Sequence, residues 1–146
     1  MKHFRWIALS VMIVLTYAFA SCKRTAYSGS EDCVNYDYSG CNTTQPLAVP
    51  MNIRLTINDE NIKVPLTIYD GKVEDQIIVL TDTVSTSKYN VDLPPNKYYS
   101  VRVRYKQGSQ VIYAFGGDKI KATRTTVCDS SCWSTEEGNV NVELKY

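Results

Sequence analysis

Tyr89-Asn-Val-Asp-Leu-Pro-Pro-Asn-Lys-Tyr-Tyr-Ser-Val-Arg-Val-Arg-Tyr105 decides the fold of this chain. Before the prolines, Tyr89, Val91 and Leu93 alternate with Asn90 and Asp92; after them, Tyr99, Val101, Val103 and Tyr105 alternate with Ser100, Arg102 and Arg104. A period of two puts every second side chain on one side of an extended backbone, so each segment reads as a strand with one apolar and one wet face. Pro94 and Pro95 have no N–H to donate and cannot continue a central strand. The stretch therefore predicts two paired β-strands joined by a Pro-Pro-Asn-Lys turn, with Asn96 suited to a left-handed conformation.

The same period extends outward in both directions. Met51, Ile53, Leu55 and Ile57 alternate with Asn52, Arg54 and Thr56; after the polar turn Asn58-Asp-Glu-Asn61, the residues Ile62, Val64, Leu66 and Ile68 repeat the pattern up to Asp70-Gly71. Pro65 falls among the outward residues, which predicts an edge strand or a bulge there. A third strand is expected near Gln76 to Leu80, and a tight Lys106-Gln-Gly-Ser109 connection leads to another over Gln110 to Phe115. Gly116-Gly117 is read as a break before Lys119 to Val127, and Val140, Val142, Leu144 and Tyr146 alternate in a closing strand. With no helical period anywhere, the expectation is an all-β domain over residues 51–146: a single antiparallel Greek-key β-sandwich of seven to eight strands.

Thr81-Asp-Thr followed by Lys88-Tyr-Asn-Val-Asp-Leu-Pro-Pro-Asn-Lys-Tyr-Tyr-Ser-Val101 resembles the signature of transthyretin-like, collagen-adhesin B-type repeats and their carboxypeptidase-regulatory relatives. Those repeats commonly run Thr-Asp-x-x-Gly-x-Tyr-x-Phe-x-x-Leu-Pro-Pro-Gly-x-Tyr-x-Val, and Asn96 stands where they carry the turn glycine. The resemblance implies a transthyretin-like or immunoglobulin-like sandwich; function must come from a site rather than from the fold.

The N-terminus has a separate logic. Lys2 and Arg5 precede the largely apolar run Trp6 to Phe19, and Ala20 and Ser21 lead directly into Cys22. A run this short falls below the roughly 20 apolar residues of a membrane-spanning helix, and the charge ahead of it suits export. Residues 1–21 are expected to be a lipoprotein signal peptide, with Cys22 the site of lipid attachment. Two or three acyl chains, at about 0.8 kcal/mol per buried methylene, would hold the protein on a membrane. Lys23, in place of Asp, resembles lipoproteins sent to the outer membrane, and the overall style resembles small lipoproteins of Bacteroidota. The expected location is the outer membrane, at its periplasmic face or on the cell surface. Residues 22–50 read as a lipidated tether, with Ser28-Gly29-Ser30 as its flexible part, followed by a small disulfide cap bounded by Pro50.

Composition narrows the chemistry. The chain carries 16 basic and 15 acidic residues in 146, with no basic patch, which argues against nucleic acid. Its single histidine, His3, lies in the leader, so the exported part has no imidazole base, nucleophile partner or metal ligand, and no enzyme is expected. Nothing calls for a cofactor or a metal. Cys33, Cys41, Cys128 and Cys132 form an even set in an exported chain and read as two disulfides; four cysteines allow three connectivities, of which the two local bridges are favoured. Trp133, Tyr36, Tyr38, Tyr69 and Tyr98 fall off the apolar phase and form the candidate ligand surface. The expected function is that of a membrane-anchored, non-enzymatic lipoprotein with a structural or adhesive β-sandwich. The alternatives are a fimbrial or surface-complex component that pairs a strand with its partner, and a glycan-binding module.

Overall fold

The computed structural model describes Cys33, residues 37–128 and residues 130–145. Residues 1–21, expected to be the signal peptide, and Cys22, Tyr36 and Tyr146 lie outside the described residues. Two compact units divide the chain, Met1–Asp37 and Tyr38–Tyr146. Among its described residues the second contains eight strands: β1 (Val49–Arg54), β2 (Val64–Asp70), β3 (Ile78–Val84), β4 (Lys88–Leu93), β5 (Lys97–Gln107), β6 (Gln110–Val127), β7 (Ser130–Glu136) and β8 (Gly138–Asn141). They form a three-stranded sheet in the order β4-β1-β8 and a five-stranded sheet in the order β3-β2-β5-β6-β7, an all-β sandwich.

The decisive stretch forms two strands, as expected, but they do not pair with each other. β4 pairs with β1, placing Val91 opposite Met51, whereas β5 pairs with β2 and β6 in the other sheet. Alternation fixes which face of a strand is apolar, not which strand lies beside it. Here the two apolar faces meet across the core, and the prolines carry the chain from sheet to sheet. Asn96 is left-handed, at φ 65°. It also extends the sheet beyond the end of β5: its N–H donates to the Ile120 carbonyl at 2.8 Å, and its Oδ1 accepts from the Ala122 N–H at 3.0 Å.

Pro50 and Pro65 solve one problem in the same way. Neither strand is at an edge, contrary to the expectation for Pro65, and the irregularity of β2 falls at Ile68/Tyr69 instead. Each proline has a neighbour on one side only: Pro65 lies opposite Thr83, but the β5 ladder starts at Leu66, and Pro50 lies opposite Asp92, but β8 starts at Met51. The missing donor therefore costs no ladder bond. Pro50 also stands inside β1 rather than before it, because Val49 is already buried.

Gly116-Gly117 does not end a strand. β6 runs unbroken through both residues, and the glycines mark close approach. A Cβ on Gly116 would lie 2.7 Å from Val140 Cγ1 and 3.1 Å from Val142 Cγ1 in the facing sheet, while one on Gly117 would overlap the Tyr98 phenol. The pairing β1/β8 is parallel, a departure from the wholly antiparallel expectation. Only Glu137 separates β7 from β8, which leaves the chain no room to reverse. Ile62 is exposed rather than inward, because β2 begins at Val64. In its place the buried Asn61 side chain pairs with the backbone N–H and carbonyl of Lys106, at 2.8 and 3.0 Å.

Met51, Ile53, Leu55, Leu66, Ile68, Val101, Val103 and Ile120 fill the space between the sheets. Burying each side chain of this size contributes about 1.5–3 kcal/mol. Tyr99 and Tyr105 belong to the same core, and each keeps its hydroxyl satisfied. Tyr105 accepts from the Thr56 N–H and donates to the Val142 carbonyl; Tyr99 donates to the Pro94 carbonyl. Burial raises both phenols above their ordinary pKa.

Candidate ligand surface

The residues expected to share a ligand surface are not assembled into one. Tyr69, although it occupies an outward position of β2, is only 3% exposed. The Arg102 guanidinium lies 5.5 Å from its ring centroid, and this aliphatic-stemmed cation covers it. Tyr38 is exposed in the short 3-10 turn Tyr38–Gly40. Trp133 is half-buried in β7, opposite Arg124. Tyr98 lies opposite Lys119 in β5, so five residues of β6, about 17 Å, separate the ladder positions of Tyr98 and Trp133. An odd separation along a strand also places them on opposite faces.

The cysteines correct the favoured connectivity. Cys41 is bonded to Cys132 across 91 residues, with their Cα atoms 5.0 Å apart. Cys33 and Cys128 are each disulfide-bonded as well. The bridge staples the segment after the Tyr38–Gly40 turn to β7, where the Trp133 N–H donates to the Asn42 carbonyl at 2.7 Å. Local spacing could not reveal this partner, because the loop closed by the bridge contains most of the fold.

A different set of residues does come together, on the outer face of the five-stranded sheet. β5 and β6 are joined by the two-residue Gly108-Ser109 turn, and their register sets Lys106 opposite Val111, Arg104 opposite Tyr113, and Arg102 opposite Phe115. Val111, Tyr113 and Phe115 are 45%, 49% and 57% exposed. The Tyr113 and Phe115 rings stand side by side, their centroids 6.5 Å apart and their planes 31° from each other. The Arg102 guanidinium is held between Tyr69 and Tyr113, 5.8 Å from the latter's centroid. Tyr98 extends the row over Gly117, beside a shallow depression of about 490 Å³ that Phe115 and Ser100 also line.

No protein-family model matches the chain, and no curated protein or solved structure matches it.

The electrostatics of this face are one-sided. Arg102, Arg104, Lys106 and Lys119 all occupy outward positions, and among the described residues none of them is in an ion pair. The outward positions of β2, β5 and this half of β6 include no carboxylate; the nearest acid lining the depression is Glu74, in the Val73–Asp75 turn at its rim. The ion pairs that do form lie to the side: Lys97 with Asp70, and Lys121 with Glu136 at 2.7 Å. In each, the carboxylate partner raises the lysine pKa. At the edge strand β3, Tyr89 donates to Asp82 Oδ2 at 2.8 Å; burial, then that bond, raises its phenol.

Sequence reasoning passed over Val111, Tyr113 and Phe115. Their signal was present: from Val111 to Phe115 both phases of the strand are apolar, which a sheet with one wet face does not need.

Proposed function

We propose that the chain is an envelope-anchored, non-enzymatic binding module. It is lipidated at Cys22 and presents the outer face of its five-stranded sheet to a ligand. The exposed row Tyr98, Tyr113 and Phe115 carries this reading. Large apolar groups on the outside of a sandwich add nothing to its core and lower its solubility, so their retention on two rigid strands favours a contact role. The leader pattern and Cys22 support outer-membrane anchoring, at the periplasmic face or the cell surface. The β5–β6 hairpin supports adhesion, since it holds the row without a mobile loop.

Two measurements test the two halves. Fatty-acid label should enter the wild-type chain and be absent from Cys22→Ser; label retained by the variant removes the anchor. Beads coated with the full chain should attach to envelope surfaces of the producing cells, and Tyr113→Ser/Phe115→Ser should abolish attachment without lowering Tm. Equal attachment removes the sheet face from the reading.

A second reading, strand addition, rests on β3, an edge strand at whose start Ile77, Ile78 and Val79 are all exposed. An edge of this kind is a template for a partner strand. Val79→Pro would then abolish partner binding while the sheet-face variants retained it.

A further inference from the structure

We infer that the outer face of the five-stranded sheet recognises an acidic polysaccharide, its carboxylate or sulfate groups pairing with Arg102 and its sugar rings lying on Tyr113 and Phe115. This rests on the reading of that face as the binding surface and specifies its ligand.

Three observations carry it. First, Arg102 is a cation with no acidic partner among the described residues, yet it is not free to wander: the Tyr69 and Tyr113 rings hold its guanidinium at 5.5 and 5.8 Å. A planar fork fixed in this way has lost its rotamer entropy before any ligand arrives, and its donors match a carboxylate or sulfate edge. Second, the rings beside it are exposed and adjacent, their planes tilted by 31°, an apolar shelf suited to the C–H faces of a sugar. Third, Arg104 and Lys106 continue the positive charge along β5 at every second residue, each facing an apolar residue of β6. A charged group repeating along an extended polymer would meet them in turn.

The same features disfavour the other occupants. A second copy of this chain docked face to face would oppose unpaired cations to unpaired cations. A peptide is held by a groove or by an unpaired strand edge, whereas the row lies on the flat of strands that are already paired. An anionic bilayer would satisfy the charge but offers no ring to match the shelf.

The test uses the full chain purified in detergent and fluorescent oligosaccharides at low salt. An oligogalacturonate should bind, as should a sulfated oligosaccharide of similar length, and the fully methyl-esterified galacturonate should bind roughly tenfold or more weakly. Binding should weaken as salt rises. Arg102→Gln should remove the preference for acid over ester, while Phe115→Ser should weaken both ligands in proportion; Phe115→Ser should melt with wild type, and Arg102→Gln, which uncovers Tyr69, should stay folded with a slightly lower Tm. Equal affinity for acid and ester overturns the inference, as does failure of both charged sugars to bind. Tighter binding of polyglutamate would assign the face to an acidic protein, and tighter binding of phosphatidylglycerol vesicles would assign it to a membrane; either overturns the glycan. If the sugars fail while Tyr113→Ser/Phe115→Ser still abolishes envelope attachment, the sheet face stands as a binding surface and only the ligand class falls.

Discussion

On the three-stranded sheet, Asn90, Asn52 and Asn139 stand in one outward row and Lys88, Arg54 and Asn141 in the next. On the five-stranded sheet the corresponding positions hold Phe115, Tyr113 and Val111 beside Arg102, Arg104 and Lys106. The first face consumes much of its own polarity. The Asn52 side chain donates to Glu137 Oε2 at 2.8 Å and reaches Asn139 Oδ1 at 3.4 Å; Asn139 donates to the Glu137 carbonyl, and Asn141 accepts from the Glu143 N–H. Lys88 and Arg54, like Arg104 and Lys106, form no ion pair among the described residues, but only the second face leaves large rings in water. Identical alternation thus produces one face whose amides are tied up in internal bonds, and another that carries exposed rings beside its cations.

That contrast requires the larger sheet to be rigid out to its edge, and the bridge to β7 is where rigidity is easiest to remove. Closing a loop of about 100 residues can stabilise a chain by roughly 4.7 kcal/mol. Cys33 and Cys128 are each disulfide-bonded as well, and further cross-linking leaves less chain entropy to remove, so Cys41→Ala/Cys132→Ala should cost less, about 3 kcal/mol. Urea unfolding checks it. An unchanged midpoint would mean that β7 is held by its ladder alone.

The next largest effect is expected directly beneath the aromatic row. Gly116 is the point where β6 touches Val140 and Val142 of the opposite sheet, and β-branched neighbours cannot swing away. Gly116→Val should destabilise by about 3 kcal/mol through overpacking and push the sheets apart. Gly138→Ala is the milder control, since its Cβ would meet Met51 and Ile120 side chains at 3.2 Å and methionine can rearrange. A melt in which the two variants behave alike would count against close packing at Gly116.

These positions also show what the sequence could and could not disclose. The faces of β1, β2, β4 and β5 were legible because each alternates over at least three apolar residues, and burial of Met51, Ile53, Leu66, Tyr99, Val101 and Tyr105 follows that phase. Partnership was not legible. β4 and β5 read as a pair because they are adjacent in the chain, and Gly116-Gly117 read as a break because the atoms that require glycine lie 24 or more residues away or on a neighbouring strand. The phase of Tyr69 was correct, but its exposure was lost to a cation from β5. β7 escaped notice altogether, since Ser130 to Glu136 has no apolar alternation and owes its strand to β6 and to Cys41.

Asn96 sits at the joint where the chain passes from the amide-bearing sheet to the aromatic one. Asn96→Val should cost about 2 kcal/mol, because a β-branched residue resists a φ of 65°. Asn96→Gly relieves the backbone but loses the bond from the Ala122 N–H, and should cost about 1 kcal/mol. The order wild type, Gly, Val in Tm is the readout. Gly equal to wild type would show that the side-chain bond contributes nothing, and Val equal to Gly would remove the argument from backbone conformation.

The smallest effects discriminate best between the two faces, since they ask what each outward side chain does for the fold itself. Asn52→Ala removes a bond to a carboxylate that is exposed to water, so the loss should be no more than about 1 kcal/mol. Phe115→Ser removes an exposed ring whose neighbour Tyr113 lies 6.5 Å away, and Arg102 leans on Tyr69 and Tyr113 rather than on Phe115. Its effect on stability should stay within about 0.5 kcal/mol in either direction. The inequality matters more than either value: a polar surface residue would then support the fold more than a large aromatic one does. Paired denaturant titrations of the two variants resolve a difference of this size when their slopes agree. If Phe115→Ser proved the more damaging, by about 2 kcal/mol, the ring would be a structural cover for the sheet, and the face would no longer differ in kind from its amide-bearing counterpart.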